Sequence, residues 1–146
     1  MSVNWKEAQQ KAARTARWAV TMTKVRIRQV VSRTRWQLVT FYGKTGGESV
    51  GVVDLLAIRK DHSEPLGGIR RGDALQIILI QVKGGAAARP TLEDAARLRI
   101  VAKRHGARHV LLATWKKGTA ARFFRLCRAS AGEAWIEITN LDSVFR

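Results

Sequence analysis

The chain has 146 residues, and its 27 Lys and Arg outweigh 11 Asp and Glu for a formal charge of +16. Apolar residues make up 46%, too many for a disordered or collagen-like chain. No apolar run of eighteen residues is free of charge, so no membrane span is expected.

The length suits one domain, read as 1–146 with a basic helical segment at 1–33 and a core at 35–139. The single Cys127 excludes an intramolecular disulfide and a Cys-built zinc site, and it reads as an intracellular, cytoplasmic chain. The charge is uneven: residues 1–44 carry ten basic groups and only Glu7. A chain this basic repels itself, and a polyanion, nucleic acid foremost, relieves that repulsion. A membrane surface is the competing partner.

The first segment spaces Trp5, Ala8, Ala12, Ala16 and Ala19 by three and four, which predicts a helix with one apolar stripe. Asn4 or Ser2 can cap it. Lys6, Lys11, Arg14 and Arg17 fall off the stripe. Lys24, Arg26 and Arg28 alternate with Val25 and Ile27 as in a strand, yet Ile27, Val30 and Val31 fit a helix, and a second helical piece is expected. Residues 35–42 are aromatic and β-branched and predict a strand, followed by a glycine-rich turn at 43–47. A second strand is expected over 50–58, apolar except for Asp54. A loop rich in Gly and Pro spans 60–73, and a third strand covers 74–83.

Pro90-Thr91 opens a helix over 91–105, with Thr91 as N-cap, Glu93 and Asp94 in its first turn, and Gly106 as its stop. Leu92, Ala95, Leu98, Ala102 and His105 are its expected inner face. Strands at 109–115, 120–127 and 133–139 complete the reading. The class is α/β, a mixed central sheet flanked by helices.

Asp54 is the residue out of place, because an unpaired carboxylate inside an apolar strand costs several kcal/mol. In the third strand Gln81 and Lys83 face one side and Val82 the other. Should the second and third strands be neighbours, Asp54, Gln81 and Lys83 converge at one sheet edge. Two oxygen ligands and an ammonium at one point form a layout for cleaving phosphodiesters. Asp54, the Gln81 amide oxygen and the Val82 carbonyl would hold Mg²⁺ or Mn²⁺, and Lys83 would stabilise charge on the phosphorane or orient the attacking water.

Gly51-Val-Val-Asp54 followed by an apolar strand ending Gln81-Val82-Lys83 resembles the PD-(D/E)XK nuclease superfamily. The Gln variant is similar to that of Mrr-like restriction endonucleases, and the stretch from Gly43 to Ile58 resembles archaeal-type Holliday junction resolvases. The resemblance covers about residues 35–115 and implies a restriction-endonuclease-like αβββαβ core. It also implies a metal-dependent DNA endonuclease, either structure-selective on branched DNA or restriction-like on duplex, that works as a homodimer, nucleoid-associated if prokaryotic. Gln81 stands where the family usually has an acid. Glu48, or Glu7 from the first helix, is the candidate to restore that charge.

Arg14, Arg17, Lys24, Arg26 and Arg28 are expected to track a phosphate backbone, with Lys116 and Lys117 as a second contact. Weaker constellations read as structural. His105 and His109 are separated by a helix stop, His62 lies in a loop, Cys127 lacks a His partner, and Gly43-Lys44-Thr45 lacks the glycine of a phosphate loop. The five Trp (5, 18, 36, 115 and 135) are read as core or dimer contacts ahead of base-stacking platforms. The rival function is a non-catalytic module on the same fold that binds DNA or RNA.

Overall fold

The computed structural model describes residues 4–42, 50–63, 67–85, 89–128 and 134–146. The glycine-rich turn at 43–47, Glu48 and Ser2 lie outside them.

One helix, α1 (Trp5–Val31), takes up both of the expected N-terminal pieces. The strand-like alternation at 24–28 is overridden because Ala19, Thr23, Ile27 and Val31 recur every four residues and are all buried. Asn4 caps the helix by accepting the Glu7 N–H. The anticipated stripe is buried only in its later part. Trp5, Ala8 and Ala12 are exposed, since residues 4–12 run past the sheet, and burial begins near Ala16.

Next come β1 (Gln37–Thr40), β2 (Leu55–Lys60) and β3 (Leu75–Gly84). Helix α2 (Leu92–His105) then leads to β4 (His109–Trp115), β5 (Arg122–Leu126), β6 (Trp135–Ile138) and a short 3₁₀ turn, Leu141–Ser143. Both ends of α2 follow their signals. Thr91 Oγ1 accepts the Asp94 N–H at 3.1 Å while Asp94 Oδ2 accepts the Thr91 N–H at 3.2 Å, a reciprocal capping box. Gly106 ends the helix in the left-handed region at φ 63, where a side chain is disfavoured. Two residues of the expected inner face are corrected. Leu92 and His105 are exposed because they are the terminal residues of the helix, which meets the sheet through Ala95 and Leu98.

Among the described residues the strands form one mixed sheet in the order β1-β2-β3-β4-β5-β6. Only β3 and β4 run parallel, because α2 carries the chain back between them. Alternate residues of β3 feed two cores: Ile78 and Ile80 pack beneath α1, and Leu79 packs beneath α2. The C-terminal residues belong to the α1 core. Phe145 is buried, its carbonyl accepts the Trp36 Nε1–H at 2.8 Å, and the two rings meet edge to face.

The helix α1 crosses the sheet at the end of β3. A Cβ at Gly84 would lie 2.7 Å from the Ala19 Cβ, and one at Gly85 would lie 2.9 Å from Thr15 Cγ2. No side chain fits between helix and strand there. Farther along, Trp115 donates its Nε1–H to Thr23 Oγ1 at 2.7 Å, and that hydroxyl donates to Ala19 O at 2.7 Å.

No helix among the described residues is long and apolar enough to cross a membrane.

Candidate functional site at the β2–β3 corner

The second strand starts later than its composition predicts. The ladder begins at Leu55, not at 50, because Gly51 turns the chain at φ 117 and Val52 drops into the core under α2. Asp54 is therefore the residue before β2, not one inside it. Leu55 pairs with Ile80, yet Asp54 also gives its N–H to Ile80 O at 2.9 Å. That bond is one residue out of phase with the ladder, the local signature of a bulge. The Asp54 carbonyl in turn accepts the Phe41 N–H at 3.1 Å, which ties the corner to the end of β1.

The carboxylate takes the next position along the edge of β3. Asp54 Oδ2 accepts the Val82 N–H at 2.7 Å. A backbone donor that β2 leaves behind is thus satisfied by a side chain, in a short charge-assisted bond. This resolves the cost of placing a carboxylate beside apolar strands: Asp54 is half-buried and hydrogen-bonded.

Gln81 and Lys83 flank Val82 on β3. Both lie on the face of Leu79, the α2 side, while Val82 packs toward the α1 core. Gln81 is 5% exposed, and its Oε1 has no hydrogen-bond partner among the described residues. A buried amide oxygen without a donor costs about 1–3 kcal/mol. It is a feature that invites a ligand. Lys83 is half-buried, one residue before the Gly84–Gly85 crossing that fixes the strand end against α1.

The structure thus joins Asp54 to the β3 edge at Val82, directly between Gln81 and Lys83. It does not bring Glu7 there. That residue stands on the exposed overhang of α1, about 12 Å along the axis from Thr15, and α1 covers the other face of the sheet. Among the described residues no three His, Cys, Asp or Glu side chains cluster as a metal site.

The expected phosphate-tracking residues divide. Arg14 and Arg17 are exposed and flank Thr15, at the Gly85 crossing. Lys116 and Lys117 are exposed in the turn after β4, and Gly84 pairs with Trp115, so they share the sheet end of Lys83. Lys24 is turned inward and donates to Thr40 Oγ1 at 3.1 Å. Arg26 and Arg28 are exposed but lie about 16–20 Å along α1 from Thr15, toward the other end of the sheet. Of the five Trp, Trp36 and Trp135 are buried and Trp18 meets Trp115 edge to face at 5.9 Å. Trp5 is 75% exposed on the overhang.

Sequence reasoning missed the Val82 N–H as the partner of Asp54, since a backbone donor carries no residue signal. It also gave no sign that the adjacent Gly84–Gly85 pair marks a close helix approach. No protein-family model matches the chain, and no curated protein matches it significantly.

Proposed function

We propose that the chain is a divalent-metal-dependent nuclease of the PD-(D/E)XK type, with a restriction-endonuclease-like core and its site at Asp54, Gln81 and Lys83. The order helix, three-strand meander, helix, parallel strand agrees with the αβββαβ core of that superfamily. The observation that carries the reading is the Asp54 Oδ2 bond to the Val82 N–H, beside a buried Gln81 whose Oε1 has no partner among the described residues.

The donor set fits a hard cation: one carboxylate, one unsatisfied amide oxygen and the Val82 carbonyl, all oxygens. Mg²⁺ or Mn²⁺, when bound, supplies Lewis-acid polarisation of the phosphate and a more acidic water. The rest falls to the chain. Asp54 is held by the Val82 N–H in one orientation. Lys83 places a cation on the same face, where it balances charge building on the phosphoryl oxygens. Lys116, Lys117, Arg14 and Arg17 surround that sheet end and hold the phosphate backbone without reading bases. A homodimer and a branched-DNA substrate follow from the family resemblance alone.

The test is cleavage of branched, duplex and single-stranded DNA and of RNA with Mg²⁺ or Mn²⁺. Wild type should cut at least one, Asp54→Asn should abolish cutting while keeping an acceptor for Val82, and Lys83→Ala should slow it about 10²–10³-fold. Undiminished cutting by Asp54→Asn refutes the site. The second reading, a binding module without catalysis, is favoured by the lack, among the described residues, of any group of three metal-ligating side chains. It stands if no substrate is cut while nucleic acid binds.

A further inference from the structure

A second charged feature lies at the other end of the sheet. Where β4 begins and β5 ends, an open groove of about 940 Å³ crosses the rim. Arg99 and Lys103 line it from α2, Arg108 and His109 from the start of β4, and Arg125 and Arg128 from the end of β5. Among the described residues no acidic residue lines it. From Ile78, the partner of His109, to Lys83 is five residues along β3, about 16 Å, so the groove is separate from the Asp54 corner.

Lys103, Arg125 and Arg128 are exposed. Among the described residues the ion pairs are Arg97–Asp94 and Arg122–Glu137, and neither uses Lys103, Arg125 or Arg128, while Arg108 also donates to the Arg146 carbonyl oxygen at 3.4 Å. The groove is therefore a stretch of concentrated positive charge in a chain already at +16. Its cations come from three segments and are strung along an open channel, an arrangement for a linear polyanion. Leu126 and the 52% exposed Ile136 add an apolar floor on which sugar or base faces can rest. Burial, and then the neighbouring Arg108, Arg125 and Arg128, hold the His109 imidazole below its ordinary pKa, which reports how closely the positive charges gather. A membrane surface is flat and engages protruding cations, whereas these line a concavity.

We propose that this groove seats the phosphodiester backbone of a nucleic-acid strand through Lys103, Arg108, Arg125 and Arg128. The inference goes beyond the cleavage reading and does not require it, because contact with phosphates needs only cations in the path of the strand. For a nuclease it supplies a second anchor that holds the strand away from the scissile bond.

The experiment measures anisotropy of a fluorescein-labelled single-stranded DNA and of its duplex, in EDTA so that nothing is cut, across a NaCl series. The variant is Lys103→Gln/Arg125→Gln/Arg128→Gln in the full chain. All three side chains are exposed, and a retained thermal midpoint verifies the fold. A control removes equal charge elsewhere, Arg33→Gln/Lys60→Gln/Arg70→Gln. The groove variant should bind the duplex at least about tenfold more weakly, with the log–log salt slope reduced by about 3, and the control should change the slope by less than about 1. Equal weakening of groove and control variants overturns the proposal. So does a groove variant that binds DNA like wild type but loses binding to phosphatidylserine vesicles. Because binding is read without metal, a protein that binds through the groove yet never cuts refutes only the nuclease reading. One that cuts while its groove variant binds like the control refutes only the groove.

Discussion

Gly84→Ala isolates the close approach of α1 to β3. Gly84 is outside the positive-φ glycines, so its backbone accepts alanine without strain. On backbone entropy alone the change stabilises a protein by about 0.4–1 kcal/mol. The packing opposes this. The new Cβ would sit 2.7 Å from Ala19 Cβ and 3.2 Å from Thr15 O, where carbon atoms settle at about 3.5–4.0 Å. Relief requires α1 to lift by about 1 Å, and Ala19 is fully buried, with Thr23 and its bond to Trp115 one turn away. Overpacking of this kind costs about 1–3 kcal/mol, which exceeds the entropic gain, so a net loss of about 1–2 kcal/mol is expected. Urea unfolding followed by Trp fluorescence reads it as a lower midpoint with an unchanged m-value. Ala19→Gly alone should cost about 1 kcal/mol as a helix-interior glycine. Combined with Gly84→Ala it should cost less than the sum, with a coupling of about 1 kcal/mol. A neutral or stabilising Gly84→Ala, or strict additivity, would refute the argument.

Gln81→Leu removes a buried amide whose oxygen has no donor among the described residues. It should leave stability unchanged or raise it by about 1 kcal/mol, while removing any increase in melting temperature that Mg²⁺ gives the wild type. A clear loss of stability would show that the amide is structurally satisfied. Thr23→Val keeps the shape but strips Trp115 Nε1–H of its acceptor and should cost about 1–2 kcal/mol by denaturant unfolding. The cost should shrink in a Trp115→Phe background, where no donor is left to orphan. His109 has its pKa lowered by burial and by Arg108, Arg125 and Arg128, so the unfolded chain takes up its proton first as pH falls below 6.5. Stability from this group is complete above that pH and declines below it. In His109→Gln this part of the pH dependence of urea unfolding should vanish, and an unchanged profile would count against it.

Much of the frame was legible because local signals and tertiary packing agree. Both ends of α2 followed from Thr91, Asp94 and Gly106, and β3 and β4 followed from apolar runs flanked by glycine. The start of β2 was not legible. Val50, Val52 and Val53 read as strand, and only the chain turn at Gly51 and the out-of-phase Asp54 bond show that pairing begins at Leu55. Of the candidate corner, Asp54 and the Gln81–Lys83 alternation were readable from residue type and period, whereas the link through the Val82 N–H was not. The charge of the chain was obvious, but the basic groove was not. The α1 and Lys116–Lys117 cations are close in sequence, while Lys103, Arg108, Arg125 and Arg128 meet only because α2 ends where β4 begins.

The strand order has a consequence for how the sheet assembles. Each strand pairs with its neighbour in sequence, so β1–β3 and β4–β6 are two meanders whose contacts close over shorter connections than the one through α2. The parallel seam between β3 and β4 alone must wait for α2 to span it, and it pays the largest loop-closure entropy. The Asp54 corner lies wholly within the first meander, and the β-strand wall of the basic groove lies within the second. Partial opening along that seam would therefore uncouple the two features while leaving each half internally paired, and amide exchange would register it first in the hydrogen bonds between β3 and β4.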